Sequence, residues 1–217
     1  MYFYVANLNN KTVSGEAAEH LLTMRVKPGE IVWLTDLQGH LKQAKILNVE
    51  KKIKAITYQT LNYQINPKPP EKVLIQGIPD KNYLDKLVEL LPFSSFTKLI
   101  LVNTHNSPQY NLNLPRLRKI SVRSCEIAER SWAIEINQVD SLTTALANLN
   151  LSKIVVLHPS GQQTKVSDWT GCLVGPEGGW SQSEFNLFAS FGLQQYSLGT
   201  TIYPAWLAGY TFAITTS

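Results

Sequence analysis

Cysteine, histidine and long apolar runs are scarce in this sequence. Two of the 217 residues are cysteines, Cys125 and Cys172, and four are histidines, which argues against a disulfide framework or a zinc finger. The clearest apolar runs, Leu99–Val102 and Ile154–Leu157, are far shorter than the roughly 18 residues that a membrane helix needs. Met1–Tyr4 lack the basic start of a signal peptide. We therefore expect a cytoplasmic protein without a structural metal or a membrane segment.

The charge is uneven along the chain. Residues 1–70 contain nine Lys or Arg and five Asp or Glu, a net charge of +4, whereas residues 71–217 contain eleven of each. The 44% hydrophobic content is that of a globular protein, and the length allows one or two domains. Concentrated positive charge favours binding to a phosphate backbone. A solvated surface produces the same pattern, so this interpretation stays open.

The hydrophobic pattern changes at the proline-rich segment Asn66–Pro70. Before it, short alternating segments with Gly/Pro turns predict a small β-barrel over residues 1–66. After it, strands alternate with helices over residues 71–217, which predicts an α/β domain with a mostly parallel sheet. The predicted segments discussed below are the hairpin Leu41–Val49 and Ile53–Leu61, the helices Leu114–Arg130, Ser141–Leu149 and Ser181–Phe191, and the strands Trp132–Ile136 and Lys153–Leu157. Glu184 stands three residues after Ser181, which predicts a capping box at the start of the last of these helices.

Three predicted strand ends carry unusual residues, after Leu157, Val174 and Leu198. Ligands of parallel sheets bind beyond the carboxyl ends of the strands. The middle segment, Gly175–Trp180, contains three glycines and a proline, so a ligand is able to approach its main chain closely. It lacks the spacing of a dinucleotide or nucleoside-triphosphate loop. We expect a nucleoside held by backbone hydrogen bonds, the alternative being a plain strand-to-helix turn.

The segment Val174–Glu184, which reads VGPEGGWSQSE, closely resembles the motif IGPEGG(W/L/F)SxxE of the RsmE family. This family comprises SPOUT-class methyltransferases that methylate uridine N3 in bacterial 16S ribosomal RNA. Weaker similarities lie at His20–Glu30, which is similar to a segment of the family's PUA-like barrel, and at Cys125–Arg130, Leu157–Pro159 and Leu198-Gly199. Together these segments extend over most of the chain.

The resemblance implies a PUA-like RNA-binding barrel at residues 1–66 and a SPOUT methyltransferase domain with a trefoil knot at residues 71–217. It further implies S-adenosylmethionine as cofactor, a homodimer formed through the knot domain, and the small ribosomal subunit as partner. The residues that it assigns to the cofactor are Leu157, His158, Val174, Gly175, Pro176, Glu177, Gly178, Gly179, Leu198, Gly199 and Ile202.

Methylation of uridine N3 requires stabilisation of the deprotonated base, since its proton is only weakly acidic. A cation near the uracil oxygens supplies this stabilisation, and Arg130 is the candidate. Glu126, one helical turn earlier in the predicted helix, is placed to orient the guanidinium. The alternative is a surface ion pair at a helix end.

Basic side chains in two regions are candidates for contacts with RNA phosphates. The first set belongs to the predicted barrel and the second shares one face of the helix that begins at Leu114. These candidates are Arg25, Lys27, Lys42, Lys45, Lys51 and Lys52, and Arg116, Lys119 and Arg123.

The segment Thr200–Trp206 departs from the family pattern, because two arginines and a Thr-Glu-Thr are replaced. Two alternatives therefore stay open beside the methyltransferase. One is a non-catalytic RNA-binding relative that keeps the fold, and the other is a SPOUT methyltransferase acting on another RNA.

Overall fold

The computed structural model describes residues 2–5, 7–163 and 168–216, and for Tyr2 only the backbone. The chain divides into two compact units. The first contains residues 1–69 and 122–133, and the second contains residues 70–121 and 134–217. The predicted second domain, residues 71–217, included 122–133, so the compact units and the predicted domains differ in that segment.

The first unit is a five-stranded sheet with one helix packed on it. The strand order is β1-β3-β4-β5-β2; β1 pairs with β3 in parallel, and the other pairs are antiparallel. Buried apolar side chains, among them Leu21, Leu34, Ile46 and Ile56, form its core. The elements are β1 (Tyr2–Tyr4), β2 (Thr12–Ser14), α1 (Gly15–Thr23), β3 (Ile31–Thr35), β4 (His40–Glu50) and β5 (Ala55–Ile65).

The second unit is built on a six-stranded sheet in which all neighbouring strands are parallel, in the order β11-β9-β10-β6-β7-β8. Its elements, with α3 extending into residues of the first unit, are β6 (Val73–Gly77), α2 (Lys81–Leu90), β7 (Lys98–Val102), α3 (Leu114–Ile127), β8 (Glu135–Val139), α4 (Leu142–Leu146), β9 (Ile154–Gln162), β10 (Gly171–Val174), α5 (Gln182–Ser190), β11 (Gln194–Tyr196) and α6 (Ala205–Thr215). The predicted α/β class with a mostly parallel sheet is confirmed.

Apolar side chains explain the central position of β6 and β10. Every residue of both strands is buried, which is the pattern of strands covered on both faces. Ile75, Leu173, Val156 and Phe188 belong to one core cluster on this sheet. Among the described residues, no helix is long and apolar enough to cross a membrane.

Several predicted boundaries are wrong. Helix α3 ends at Ile127 and not at Arg130, because Glu129 adopts a left-handed conformation (φ 53°) and the Arg130 N–H donates to the Cys125 carbonyl (2.9 Å). Strand β8 begins at Glu135, since the Trp132 indole donates to the Asn66 carbonyl (3.1 Å).

Three other predicted elements differ in length. Strand β9 continues past Leu157 to Gln162; its pairing with β10 ends at Val156, so Pro159 interrupts no bond of that ladder. Strand β5 and helix α4 span Ala55–Ile65 and Leu142–Leu146. Strand β2, only three residues long, was too short to show a hydrophobic pattern.

The predicted capping box at the start of α5 is confirmed. The Glu184 N–H donates to Ser181 Oγ, and the Ser181 N–H donates to Glu184 Oε2 (2.7 Å). These bonds satisfy two backbone donors that the first helical turn leaves unpaired. The helix therefore has a fixed start directly after the glycine-rich loop.

Replacing Ser181 with alanine removes one half of this cap. We expect Ser181→Ala to lower the free energy of unfolding by about 1 kcal/mol, the usual value of an N-cap hydroxyl. Chemical denaturation measures the change. Gln182→Ala, on the exposed first turn of the same helix, is the control, with an expected change below about 0.5 kcal/mol. Equal effects of the two substitutions contradict the capping role.

Candidate functional site

A cleft of about 330 Å³ lies in the second unit, where β9, β10 and β11 meet the loops that follow them. This volume falls within the range of small-molecule sites, roughly 300–1,000 Å³. Its position agrees with the rule that ligands bind beyond the carboxyl ends of parallel strands. The lining residues come from three segments and are Leu157–Pro159, Val174–Glu177 with Gly179 and Trp180, and Tyr196–Gly199 with Thr201–Ala205 and Ala208.

The Gly175–Trp180 loop forms one wall of the cleft and is anchored to β6 by a buried amide. Gln76 is fully buried, and its Nε2 donates to the carbonyls of Gly175 (3.0 Å) and Gly77 (3.1 Å). Gln76 pairs with Val174 in the ladder between β6 and β10, so the amide is brought to the start of the loop by strand register. The loop is thus fixed at its first residue by a side chain of the sheet.

Two further segments hold the rest of the loop. The Asp80 N–H, at the start of α2, donates to Glu177 Oε2 (2.9 Å). Asn106 Nδ2 donates to the carbonyls of Gly178 (2.9 Å) and Gly179 (3.1 Å). The carbonyls of three loop glycines therefore accept hydrogen bonds from outside the loop.

Glu184 connects the helix cap to the segment after β7. Its Oε1 accepts from the His105 N–H (2.9 Å), while Oε2 accepts from the Ser181 N–H. The carboxylate is 8% exposed, and each of its oxygens has a backbone donor. The residue thereby holds two segments of the site in register.

Tyr110 supports the turn between β6 and α2. Its hydroxyl donates to the Pro79 carbonyl (2.8 Å). Burial, together with the negative charges of Asp80, Glu177 and Asp85, raises the pKa of Tyr110 to about 12. The phenol therefore stays protonated at ordinary pH and is available as a donor.

Close packing restricts two glycines of the site. A Cβ on Gly175 would lie 3.2–3.3 Å from Gly179 and 3.3 Å from Trp180, which is tighter than most contacts of real Cβ atoms. Gly199 has φ of 109°, a conformation that side-chain-bearing residues rarely adopt. A side chain would therefore be crowded at Gly175 and conformationally strained at Gly199.

The lining is largely apolar, with few ionisable side chains. Glu177, His158 and the phenols of Tyr196 and Tyr203 are the ionisable groups of the described lining, and His158 Nδ1 shares a hydrogen bond with Ser160 Oγ (2.7 Å). Trp180 Nε1 and Gln76 Oε1 are buried and have no hydrogen-bond partner among the described residues. The site thus offers an apolar surface, main-chain polar groups and spare hydrogen-bonding capacity. Across the described chain, no group of three or more His, Cys, Asp or Glu side chains is placed to hold a metal ion.

The structure brings together ten of the eleven residues predicted to contact a cofactor. Gly178 alone is outside the lining; a Cβ there would meet Asn106 Cβ at 2.8 Å. The predicted cofactor residues left out Trp180 and Tyr203, which lie within segments that the sequence singled out, and Tyr196, which lies two residues before Leu198. Sequence reasoning also missed Gln76, a polar residue in an otherwise apolar strand, and Asn106, for which the sequence offered no signal.

The predicted catalytic pair lies in the first unit. Glu126 is 3% exposed; its Oε1 accepts from the Tyr4 N–H (2.7 Å), and its Oε2 lies 3.1 Å from His20 Nδ1. Burial lowers the pKa of the Arg130 guanidinium from its usual value, and the Cys125 thiol acts in the opposite direction. Because α3 ends before Arg130, the assumption that a helical turn aligns these two side chains is wrong. Their part in catalysis stays a prediction.

The predicted RNA-contacting cations differ in their surroundings. Arg25, Lys27, Lys45, Lys51 and Lys52 are exposed, and Lys42 is half-buried. Arg116 forms a forked ion pair with Asp85 (2.7 and 2.5 Å). Arg123 Nη2 lies 3.8 Å from Glu16 Oε1, and Lys119 is exposed on α3. The candidate cations of residues 1–66 are therefore mostly exposed to solvent, whereas the charge of Arg116 is paired with Asp85.

Comparison with known proteins identifies relatives along most of the chain. A sequence model of a family described as "RNA methyltransferase domain" matches residues 66–206. The ribosomal RNA small subunit methyltransferase E of Helicobacter pylori is 24% identical over 197 residues, which is 87% of this chain and 86% of that protein.

Two solved structures share the fold. One is a ribosomal RNA small subunit methyltransferase E from Neisseria gonorrhoeae bound to S-adenosyl methionine, with a TM-score of 0.85, 21% identity, and coverage of 99% of this chain and 95% of that one. The other is a protein from Legionella pneumophila in complex with the cofactor SAM, with a TM-score of 0.82, 19% identity, and coverage of 99% and 96%.

Proposed function

The chain belongs to the RNA methyltransferase domain family, and on this basis we propose that it transfers a methyl group from S-adenosylmethionine to small-subunit ribosomal RNA. The relative from Helicobacter pylori carries that activity in its name. The observation that carries the proposal is the cleft at the ends of β9, β10 and β11, walled by the Gly175–Trp180 loop. We propose uridine N3 as the methylated atom, on the strength of the resemblance to the RsmE family.

The residues of the cleft fit this cofactor. Apolar side chains such as Leu157, Val174 and Ala208 offer surface to an adenine ring, and loop main-chain groups offer partners to its polar atoms. The Glu177 carboxylate is the negative group of the described lining and suits a cationic ligand. The unpartnered Trp180 Nε1 is a spare donor in the same wall. When bound, the cofactor supplies a methyl group on a positively charged sulfur.

In the proposed reaction, the chain orients the base and stabilises its anion. Transfer would form the bond from N3 to the methyl carbon as the bond from that carbon to sulfur breaks, after release of the N3 proton to water, so positioning and charge complementarity would be the main contributions of the protein. We propose that the Arg130 guanidinium stabilises the negative charge that develops on the uracil oxygens. Glu126 acts through its bonds to Tyr4 and His20, as a residue that positions the segment before Arg130.

Recognition of the RNA is assigned to the first unit. Its exposed cations, including Lys51 and Lys52 in the turn between β4 and β5, are available for phosphates. We propose that this sheet is the PUA-like RNA-binding barrel over residues 1–66, and that residues 71–217 form a knotted SPOUT domain. A cytoplasmic location follows from a ribosomal substrate.

A homodimer through the second unit is part of the proposal. Ile202 is 79% exposed although it lines the cleft, and Ile214 on α6 is 51% exposed. Single exposed apolar side chains are common on protein surfaces, so the support for the proposed homodimer is the resemblance to the RsmE family.

A second candidate function is RNA binding without methyl transfer. The observation that favours it is the segment Thr200–Trp206, which lines the cleft with Tyr203 and Pro204 where the family has charged residues. Methylation of a different RNA is the third reading of the same departure.

Calorimetric titration with S-adenosylmethionine followed by a methyl-transfer assay separates the candidates. We expect binding to the protein, and transfer to small ribosomal subunits isolated from cells that lack the relevant modification, with the product located by mass spectrometry of RNA fragments. Binding without transfer to these subunits or to other cellular RNA supports the non-catalytic relative. Absence of cofactor binding contradicts the whole proposal.

Valine in place of Gly178 should weaken cofactor binding. Its Cβ would meet Asn106 Cβ at 2.8 Å, which pushes away the side chain that holds the carbonyls of Gly178 and Gly179. Displacement of Asn106 shifts the main chain at Gly179, which lines the cleft, so we expect S-adenosylmethionine affinity to fall about tenfold, equivalent to about 1.4 kcal/mol. Calorimetry measures the affinity.

Ser183→Val, an exposed position on the following helix, is the control for Gly178→Val and should bind the cofactor as the parent does. Circular dichroism establishes that both variants are folded. Unchanged cofactor affinity of Gly178→Val would contradict the assignment of the Gly175–Trp180 loop to the cofactor site.

Reversal of two charges tests the RNA surface. We expect Lys51→Glu/Lys52→Glu to weaken binding to a fragment of small-subunit ribosomal RNA and to make log K less steep against log salt by about 1 to 2, because two phosphate contacts are lost. Cofactor affinity should not change. The matched control is Lys81→Glu/Lys153→Glu, two exposed lysines of the second unit; a similar loss in both double variants indicates a general charge effect and contradicts the assignment.

A further inference from the structure

Two rings and a cation lie together on the outer half of the β4–β5 hairpin. Lys42 pairs directly with Tyr63, and His40 pairs with Ile65. Residues two apart on a strand share one face of a sheet, so His40 and Lys42 are on the same face as Tyr63. The His40 and Tyr63 ring centroids are 6.0 Å apart with planes within 17°, and Lys42 Nζ lies 5.9 Å from the Tyr63 centroid.

This cluster is open to solvent. Tyr63 is 48% exposed, and the His40 side chain is 37% exposed. Rings in face-to-face contact lie about 3.5–4.0 Å apart, so a separation of 6.0 Å leaves most of each face uncovered by the other. The first half of β5 buries Ile56 and Tyr58 in the core, whereas all residues from 59 to 65 are exposed. The Tyr63 ring is therefore not used for core packing within the first unit.

Neighbouring groups fix the cluster in place. His40 Nδ1 lies 2.5 Å from Asp36 Oδ2, and the His40 N–H donates to Asp36 Oδ1 (3.3 Å). The Asp36 carboxylate, 13% exposed, also accepts from the Gln38 N–H (2.8 Å), so it is held by both His40 and the turn that precedes β4. The Lys42 ammonium donates to the Leu8 carbonyl, which leaves two of its three protons for another acceptor. A ligand would meet side chains that are already ordered.

We propose that Tyr63, His40 and Lys42 form a stacking site for one unpaired base of single-stranded RNA, with the Lys42 ammonium on the adjoining phosphate. The proposal rests on the proposed RNA substrate and specifies where the first unit holds it. Unstacked bases bind on exposed aromatic rings, and each such contact adds affinity with little dependence on sequence. The net charge of +4 on residues 1–70 favours a polyanion over a neutral or basic peptide as occupant.

Two labelled oligomers of equal charge test the site by fluorescence anisotropy. One is a twelve-nucleotide oligouridine and the other is an abasic ribose-phosphate chain of the same length. We expect the full-length protein to bind oligouridine more tightly than the abasic chain. Tyr63→Leu should lower affinity for oligouridine about tenfold without changing affinity for the abasic chain. Tyr63→Phe, which keeps the ring, should bind as the parent does.

Gln64→Leu is the matched control, because it introduces the same side chain at the next position of β5, which faces the other side of the sheet. It should leave both affinities unchanged, and thermal unfolding establishes that all variants are folded. Equal affinity of the parent for the two oligomers overturns the proposal. A Tyr63→Leu variant that loses affinity for both oligomers equally also overturns it. So does a Tyr63→Leu variant that keeps both affinities, which is the result expected if this surface binds a protein partner.

The outcome is separable from that of the methyl-transfer assay. A selective loss with oligouridine supports the stacking site even where no methyl group is transferred. If the parent protein transfers the methyl group and Tyr63→Leu binds oligouridine as the parent does, the proposed function is supported and the stacking site is contradicted.

Discussion

The glycine-rich wall of the cleft starts at a residue held by a buried amide of the sheet, that of Gln76. Burying an amide is costly unless its polar atoms are bonded. Gln76 Nε2 recovers part of this cost by donating to the carbonyls of Gly175 and Gly77, while Oε1 has no hydrogen-bond partner among the described residues. The bond to Gly175 forms only because β6 and β10 are parallel neighbours in the register that pairs Gln76 with Val174. The conformation of the glycine-rich loop is therefore determined by the sheet and not by the loop sequence alone.

Anchoring from outside the loop also explains why the main chain can serve as the binding surface. Asn106 and Asp80 use their own donors on this loop, at the Gly178 and Gly179 carbonyls and at the Glu177 carboxylate. Apart from the bond to the Glu177 carboxylate, these anchors act on the main chain of the loop, so glycine is tolerated at several positions. Glycines, the most flexible residues, thus occur in a segment whose conformation is restrained by Gln76, Asp80 and Asn106.

The architecture followed from the sequence to a large extent. The proline-rich segment and the change from alternating strands to strand–helix alternation indicated the α/β sheet, and Ser181 with Glu184 indicated the start of α5. The segments after Leu157, Val174 and Leu198, which the sequence singled out for their unusual residues, line one cleft, because neighbouring parallel strands bring them to the same edge of the sheet. Segment bounds failed where tertiary contacts decided them, as at Trp132 and at the left-handed Glu129.

Side-chain anchors were beyond sequence reasoning for a physical reason. Asn106 and Gln76 act on residues 72 and 99 positions away, and no local pattern encodes such a pairing. The sequence likewise contained no sign that the charge of Arg116 is paired, because its partner Asp85 is 31 positions away and binds the guanidinium through its carboxylate. Counting basic residues therefore overestimates the free positive charge of the second unit.

The long separation between the anchors and the loop bears on the order in which the chain folds. Contacts across 97 and 99 residues, at Asp80–Glu177 and Gln76–Gly175, close large loops, and the entropy of such closures slows the pairing of parallel strands. During synthesis, β6 emerges long before β10. Until β10 pairs with it, the Gln76 amide lacks the Gly175 carbonyl as a hydrogen-bond partner. Until β10 is inserted beside it, Gln76 is a polar defect in an apolar strand, and this defect disfavours premature burial of β6 against the wrong neighbour.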